Sequence, residues 1–138
     1  MPHYEKRVST PAGTAKKDAQ QRYLTIDSGI IHRVSIRFRH GPNDLCHVKI
    51  LQGANQIYPT NKGGDYASDG ETISFIDHYK IRPGSNWLTI KTWNTGKFSH
   101  DIIIRISVMK EEHLNAAASL EKLADRITRL LRLWGWRE

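Results

Sequence analysis

Between residues 22 and 109 apolar side chains recur at every second position in short runs, and the runs are separated by clusters of Gly, Pro, Asn and Asp. The clearest run is Ile31 to Arg39, where His32, Val34, Ile36 and Phe38 fall on one face and Arg33, Ser35, Arg37 and Arg39 on the other. A shorter strand is predicted from Arg22 to Ile26, stopped by Asp27-Ser28-Gly29. Alternation resumes from Leu45 to Leu51, turns at Gln52-Gly53-Ala54-Asn55, and continues through Gln56-Ile57-Tyr58 until Pro59 ends it. Residues 60–70 have no apolar period and read as a long surface loop. Three more strands are predicted at Glu71–Ile76, Trp87–Trp93 and Asp101–Met109, the last with Ile102, Ile104, Ile106 and Val108 on its core face. About seven strands with no helix between them predict a mainly β chain, an antiparallel sandwich of jelly-roll-like type.

From Glu111 the period changes from 2 to 3.6, and no Gly or Pro intervenes before Gly135. A helix of about 24 residues is about 36 Å long. Ala116, Leu120, Leu123, Ile127, Leu130 and Trp134 follow one another at intervals of 4, 3, 4, 3 and 4, with Leu131 beside the seam. Burying the large members of that stripe is worth on the order of 10 kcal/mol gross, so something must cover it. The chain's own sandwich, a second copy or neighbouring subunit, and a membrane surface are the three candidates. Lys122, Arg126, Arg129, Arg132 and Arg137 with Trp134 and Trp136 suit a bilayer surface, but Glu121 and Asp125 dilute the cationic face and disfavour it.

The first 21 residues carry neither period and few large apolar groups, so they are expected to form a flexible arm. The chain of 138 residues thus divides into an arm (1–21), a sandwich (22–110) and a helix (111–138). No run is long enough to span a bilayer, and residues 1–21 contain no apolar core of a secretory signal. Cys46, the single cysteine, lies in an alternating run and is expected to be a buried, inert thiol. A net charge of +7, from 21 Lys and Arg against 14 Asp and Glu, biases the surface toward polyanions.

Candidate chemistry is sparse. The histidines show no metal-ligand spacing, and the calcium-loop likeness of Asp65, Asp69 and Glu71 fails at Ala67 and Ile76. Cys46 and His47 are adjacent on a strand and face opposite ways, so they cannot pair as nucleophile and base. The chain therefore reads as non-enzymatic, with no catalytic residue, metal or other cofactor expected. Arg33, Arg37 and Arg39, joined by Lys49, Lys91 and Arg105, form a candidate polyanion-binding face. Tyr58, Tyr66, Tyr79, Trp87 and Trp93 are candidate stacking aromatics for a sugar ring or a base.

Gly29-Ile30-Ile31-His32-Arg33-Val34, Gln56-Ile57-Tyr58-Pro59-Thr60-Asn61, Ser68-Asp69-Gly70-Glu71-Thr72-Ile73 and Thr92-Trp93-Asn94 carry a further signal. Over residues 29–108 the chain resembles small β-sandwich structural or decoration proteins of tailed phages and prophages. The resemblance implies a capsid-associated virion component that self-associates, found in the virion or in the host cytoplasm during assembly. It implies homo-oligomer contacts, contacts with other virion proteins, or both. The alternative class is a carbohydrate- or nucleic-acid-binding module on the same sandwich.

Overall fold

Inner-face alternation brings two antiparallel sheets together. The computed structural model of the chain describes residues 2–82 and 84–135, and the side chains of all of these except 111–117. Nine strands are found among the described residues: β1 (His3–Thr10), β2 (Gln20–Thr25), β3 (Ile30–Phe38), β4 (Cys46–Gln52), β5 (Asn55–Tyr58), β6 (Tyr66–Ala67), β7 (Thr72–Lys80), β8 (Trp87–Asn94) and β9 (His100–Met109). A helix, α1 (Glu111–Leu133), follows. One sheet has the order β1-β9-β3-β7 and the other β2-β8-β4-β5, with β6 paired to β4. The protein is a β-sandwich followed by a C-terminal helix.

The core lies between the sheets. Ile31, Val34, Ile36 and Phe38 of β3 and Ile102, Ile104, Ile106 and Val108 of β9 meet Cys46, Val48 and Ile50 of β4 and Leu88 and Ile90 of β8, all buried. β-Branched side chains dominate because they fill a pleated surface with little rotamer freedom to lose. At one end the core turns polar and every partner is supplied: Thr10 Oγ1 donates to Thr92 Oγ1 at 3.0 Å, and Asn94 Nδ2 donates to the carbonyl of Phe98 at 2.7 Å. Gly29 enters β3 at φ +152°, where a Cβ would stand 2.6 Å from the Met109 carbonyl oxygen. Only glycine allows that approach of the two chains.

Three expectations are corrected. The arm expected over residues 1–21 is not loose across its described residues, 2–21: β1 pairs along its whole length with β9, from His3 opposite Ser107 to Thr10 opposite His100, and Val8 is buried. Its Tyr4, Lys6, Val8 and Thr10 do alternate inward, but Lys6 interrupts the apolar pattern and hides the strand. In β3 a bulge between Ile31 and Arg33 changes the phase, so Ile31, not His32, joins Val34 in the core. β7 continues past Ile76 to Lys80. Inward-facing Asp77 breaks the apolar period there and is satisfied by the Tyr58 hydroxyl, which donates to it at 2.6 Å.

Integration of β1 has a measurable consequence. Val8→Asp buries an unpaired carboxylate and should cost on the order of 3 kcal/mol in urea unfolding, whereas exposed Arg7→Ala should stay within about 0.5 kcal/mol of the parent. Equal, negligible effects at both positions would show that β1 does not belong to the sandwich.

Candidate functional site

Basic side chains on the outer faces are the most distinctive chemistry of the sandwich, and the fold divides them. Arg33 and Arg37 of β3 and Arg105 of β9 project from the outer face of the first sheet, with Arg105 opposite Ser35 between the two. Arg105 Nη2 lies 3.4 Å from Glu5 Oε1 of β1, and Arg33 Nε donates to Ser74 Oγ of β7 at 3.4 Å. Arg39 follows the end of β3 and lines, with Arg37, His40, Gly70 and Thr72, a cleft of about 330 Å³. Lys49 of β4 and Lys91 of β8 belong to the opposite sheet. The single basic face expected from sequence is two faces, because Lys49 and Lys91 stand on strands that pair in the other layer.

On that second face Lys49 and Lys91 are directly opposite each other across the β4–β8 pair, and Gln21 of β2 is opposite Lys91 on its other side. A single 3-10 turn, Lys16–Asp18, brings two further lysines to the same place. Lys16, Lys17, Ala19, Gln21, Lys49 and Lys91 line a cleft of about 460 Å³. Near these lysines Trp93 stacks on His47 with ring centroids 5.1 Å apart and planes 6° from parallel. The Nζ atoms of Lys16 and Lys49 lie 5.5 and 5.9 Å from the centre of the Trp93 ring. His47 Nδ1 is 2.7 Å from Asp65 Oδ1. Burial lowers the Lys49 ammonium from its ordinary range, the charges of Lys91 and Lys16 add to that effect, and the charge of Asp65 opposes it. Lys16 and Lys17 had no periodic signal around them; their adjacency in the sequence was the only sign, and it did not say where they would lie.

The candidate stacking aromatics do not share an exposed face. Trp93 is 3% exposed and Tyr58 4%. Tyr58 and Tyr66 pack on Phe75, with centroids 5.1 and 6.1 Å away, and Tyr79 packs on Tyr58 at 6.4 Å. They close one edge of the sandwich. The Tyr79 hydroxyl donates to Gln52 Oε1 at 2.6 Å, and burial with the neighbouring Asp77 pushes the Tyr58 hydroxyl far above its usual range. Trp87 alone of the five is well exposed. The expected stacking surface does not form because the edge between the sheets is itself filled with these side chains.

Helix α1 is the other candidate surface. Every described side chain from Ala118 to Gly135 is exposed. Leu120 is 67% and Trp134 87% exposed, and Leu123, Ile127, Leu130 and Leu131 lie between 43% and 55%. The expected seam is therefore presented to solvent and not docked on the sandwich. The Ala116 side chain and residues Trp136 and Arg137 lie outside the described residues. No helix among the described residues is long and apolar enough to cross a membrane.

Nothing among the described residues gathers three or more His, Cys, Asp or Glu into a metal-binding group. Asp69 accepts from the Gly41 amide at 2.7 Å, and Glu71 accepts from Ser68 Oγ at 2.7 Å, so the acids of the 60–70 region act separately. Cys46 is fully buried, and desolvation pushes its thiol up to about 11, partly offset by a hydrogen bond with Thr10.

No family profile matches the chain, and no curated protein matches it significantly. Solved structures with a similar arrangement include the capsid asymmetric unit of cyanophage Pam1, at 11% identity and a TM-score of 0.45, covering 76% of this chain and 81% of that one. Disulfide-linked pili of Bacillus endospore appendages match at 11% identity and a TM-score of 0.40, over 79% of this chain and 88% of that one. The iron(II) form of HppE matches at 12% identity and a TM-score of 0.40, over 76% of this chain, which spans only 43% of HppE. No role is carried over from them.

The Cys46 environment yields a test with a defined sign. A thiol raised from 9.0 to about 11 favours the folded state below pH 9, and that contribution is lost as pH rises through about 11, with the raised Tyr58 and Tyr66 acting in the same direction. Urea-melt stability should fall across that window. At pH 8 a thiol-specific chromogenic reagent should label the native chain at least tenfold more slowly than the unfolded chain; equal rates would place Cys46 at the surface.

Proposed function

We propose that this protein is a non-enzymatic structural subunit of a phage-like particle, self-associating through α1. The observation that carries the reading is the exposed apolar stripe from Leu120 to Trp134, on an element that leaves the sandwich without covering it. Leaving such a stripe in water forgoes on the order of 10 kcal/mol of burial. The particle context is supported by the resemblance over residues 29–108. It is also supported by the two four-strand orders, β1-β9-β3-β7 and β2-β8-β4-β5, which suit a jelly roll.

The partner is a second copy of the same helix. Residues 111–125 carry four acidic side chains and one lysine, whereas residues 126–138 carry four arginines and one acid. Antiparallel pairing sets the acidic half of each helix against the basic half of its neighbour, and parallel pairing opposes like charges. The same segregation also suits the helix dipole, with acids early and bases late. A glycan-binding role draws no support from the aromatics, most of which are buried or edge-filling.

Light scattering across a tenfold concentration range tests the proposal. The full chain should form a discrete oligomer, and a chain ending at Lys110 should be a folded monomer. Glu121→Lys combined with Asp125→Lys should dissociate the oligomer at low salt, since it converts attraction between antiparallel helices into repulsion. A monomeric full chain sinks the assembly reading, and an oligomer indifferent to the charge change sinks the antiparallel arrangement.

A further inference from the structure

We propose that the cleft between the 3-10 turn and the outer face of β8 and β4 is a binding site for phosphate oxyanions in series, held by Lys16, Lys17, Lys49 and Lys91. This goes beyond the assembly role and does not depend on how α1 pairs.

Three observations carry it. First, Lys49 and Lys91 are directly opposed neighbours on one sheet face, an arrangement that destabilises a sheet unless something compensates. Second, Lys16 and Lys17 arrive from a distant part of the sequence, so four ammonium groups converge where one would suffice for solubility. Third, none of the four forms an ion pair with a carboxylate among the described residues. Asp65 is paired with His47, although its charge also acts on Lys49, and neither it nor Asp18 of the same turn lines the cleft. Lys16 Nζ donates to the Gly63 carbonyl at 3.4 Å, a neutral partner like the Ser74 hydroxyl of Arg33, whereas on the first sheet Arg105 has a carboxylate, Glu5.

The chemistry of the ligand follows from what lines the site. Lysines supply point charges with rotatable donors and no planar fork, which suits tetrahedral oxyanions more than a bidentate carboxylate. Trp93 is 3% exposed and no aromatic side chain is among the residues lining the cleft, so the cleft itself presents no ring to a base or sugar. Recognition is therefore of backbone charge and not of sequence. A cleft of about 460 Å³ also exceeds a single phosphate, since a water molecule occupies about 30 Å³. Two sources share the chemistry: the phosphodiester backbone of a nucleic acid and a free oligophosphate. Both are polyanions whose condensed counterions would be released on binding.

The test uses the full chain, with a fluorescent single-stranded oligonucleotide followed by anisotropy and inorganic tripolyphosphate followed by calorimetry. With four phosphates engaged, the oligonucleotide should show a slope of log K against log salt of about −3, since each contributes about 0.7 on a single strand. Lys49→Gln with Lys91→Gln should weaken binding at least tenfold and make that slope shallower by about 1.4. Lys16→Gln with Lys17→Gln, which leaves the sheet untouched, should do the same. Arg33→Gln with Arg37→Gln on the opposite sheet should change affinity less than twofold. Without ligand the Lys91→Gln chain should melt no lower than the parent, because it removes a like-charged neighbour. Lysine-dependent binding of the oligonucleotide alone identifies a nucleic-acid backbone, and of tripolyphosphate alone a free oligophosphate. Failure of both to bind, affinity unchanged in both lysine variants, or equal loss in the arginine variant overturns the site.

Discussion

Strand register is the constraint on which the molecule depends. The inner faces of β3, β9, β4 and β8 are almost wholly apolar, and sliding any of these strands by one residue would turn its buried set into water. That penalty fixes which side chains stand opposite one another on the outer faces as well. Lys49 meets Lys91, and Ser35 meets Arg105, because Ile50 must meet Ile90 and Ile36 must meet Ile104 in the adjoining positions. The outer-face chemistry is therefore set from within. A repulsive lysine pair can persist because the core energy that holds the register is much larger than the repulsion across one exposed pair.

Helix α1 stands outside that arrangement. The sandwich completes its own core without it, and the apolar stripe of the helix remains in solvent. A fold that hides its strands' apolar faces so fully and leaves a helix's apolar face bare has separated stability from association. The sandwich supplies the first, and the helix is suited to the second. Segregated charge along the helix then bears on orientation more than on affinity, since exposed ion pairs are individually weak and screened by salt.

Division of the basic residues between two sheets changes how they act. Arginines on the first sheet are interleaved with Glu5 and hydroxyl groups, as expected of a solvated outer face that discourages edge-to-edge association. Lysines on the second converge because the chain between β1 and β2 folds back over β8, where Thr14 and Asn94 bridge, and carries Lys16 and Lys17 with it. Convergence of like charge has an energetic cost that a bound anion would reduce, since Asp65 offsets it only in part at Lys49 and is itself paired with His47.

Most of the fold was legible in the chain because burial on one face writes a period into the sequence. The runs at Ile31–Phe38, Leu45–Leu51, Trp87–Trp93 and Asp101–Met109, and the seam from Leu120 to Trp134, follow from alternation and from 3.6-residue spacing alone. Where an inward position is polar, the period is lost: Lys6 concealed β1, and Asp77 cut short β7 although the Tyr58 hydroxyl satisfies it. A bulge exchanged His32 for Ile31, a change of phase that no local pattern encodes. The lysine cleft was the least legible feature of all. Its members are separated by up to 75 positions in sequence and share no period, so only the packing of one layer's strands and the turn above them could bring Lys16 to Lys91.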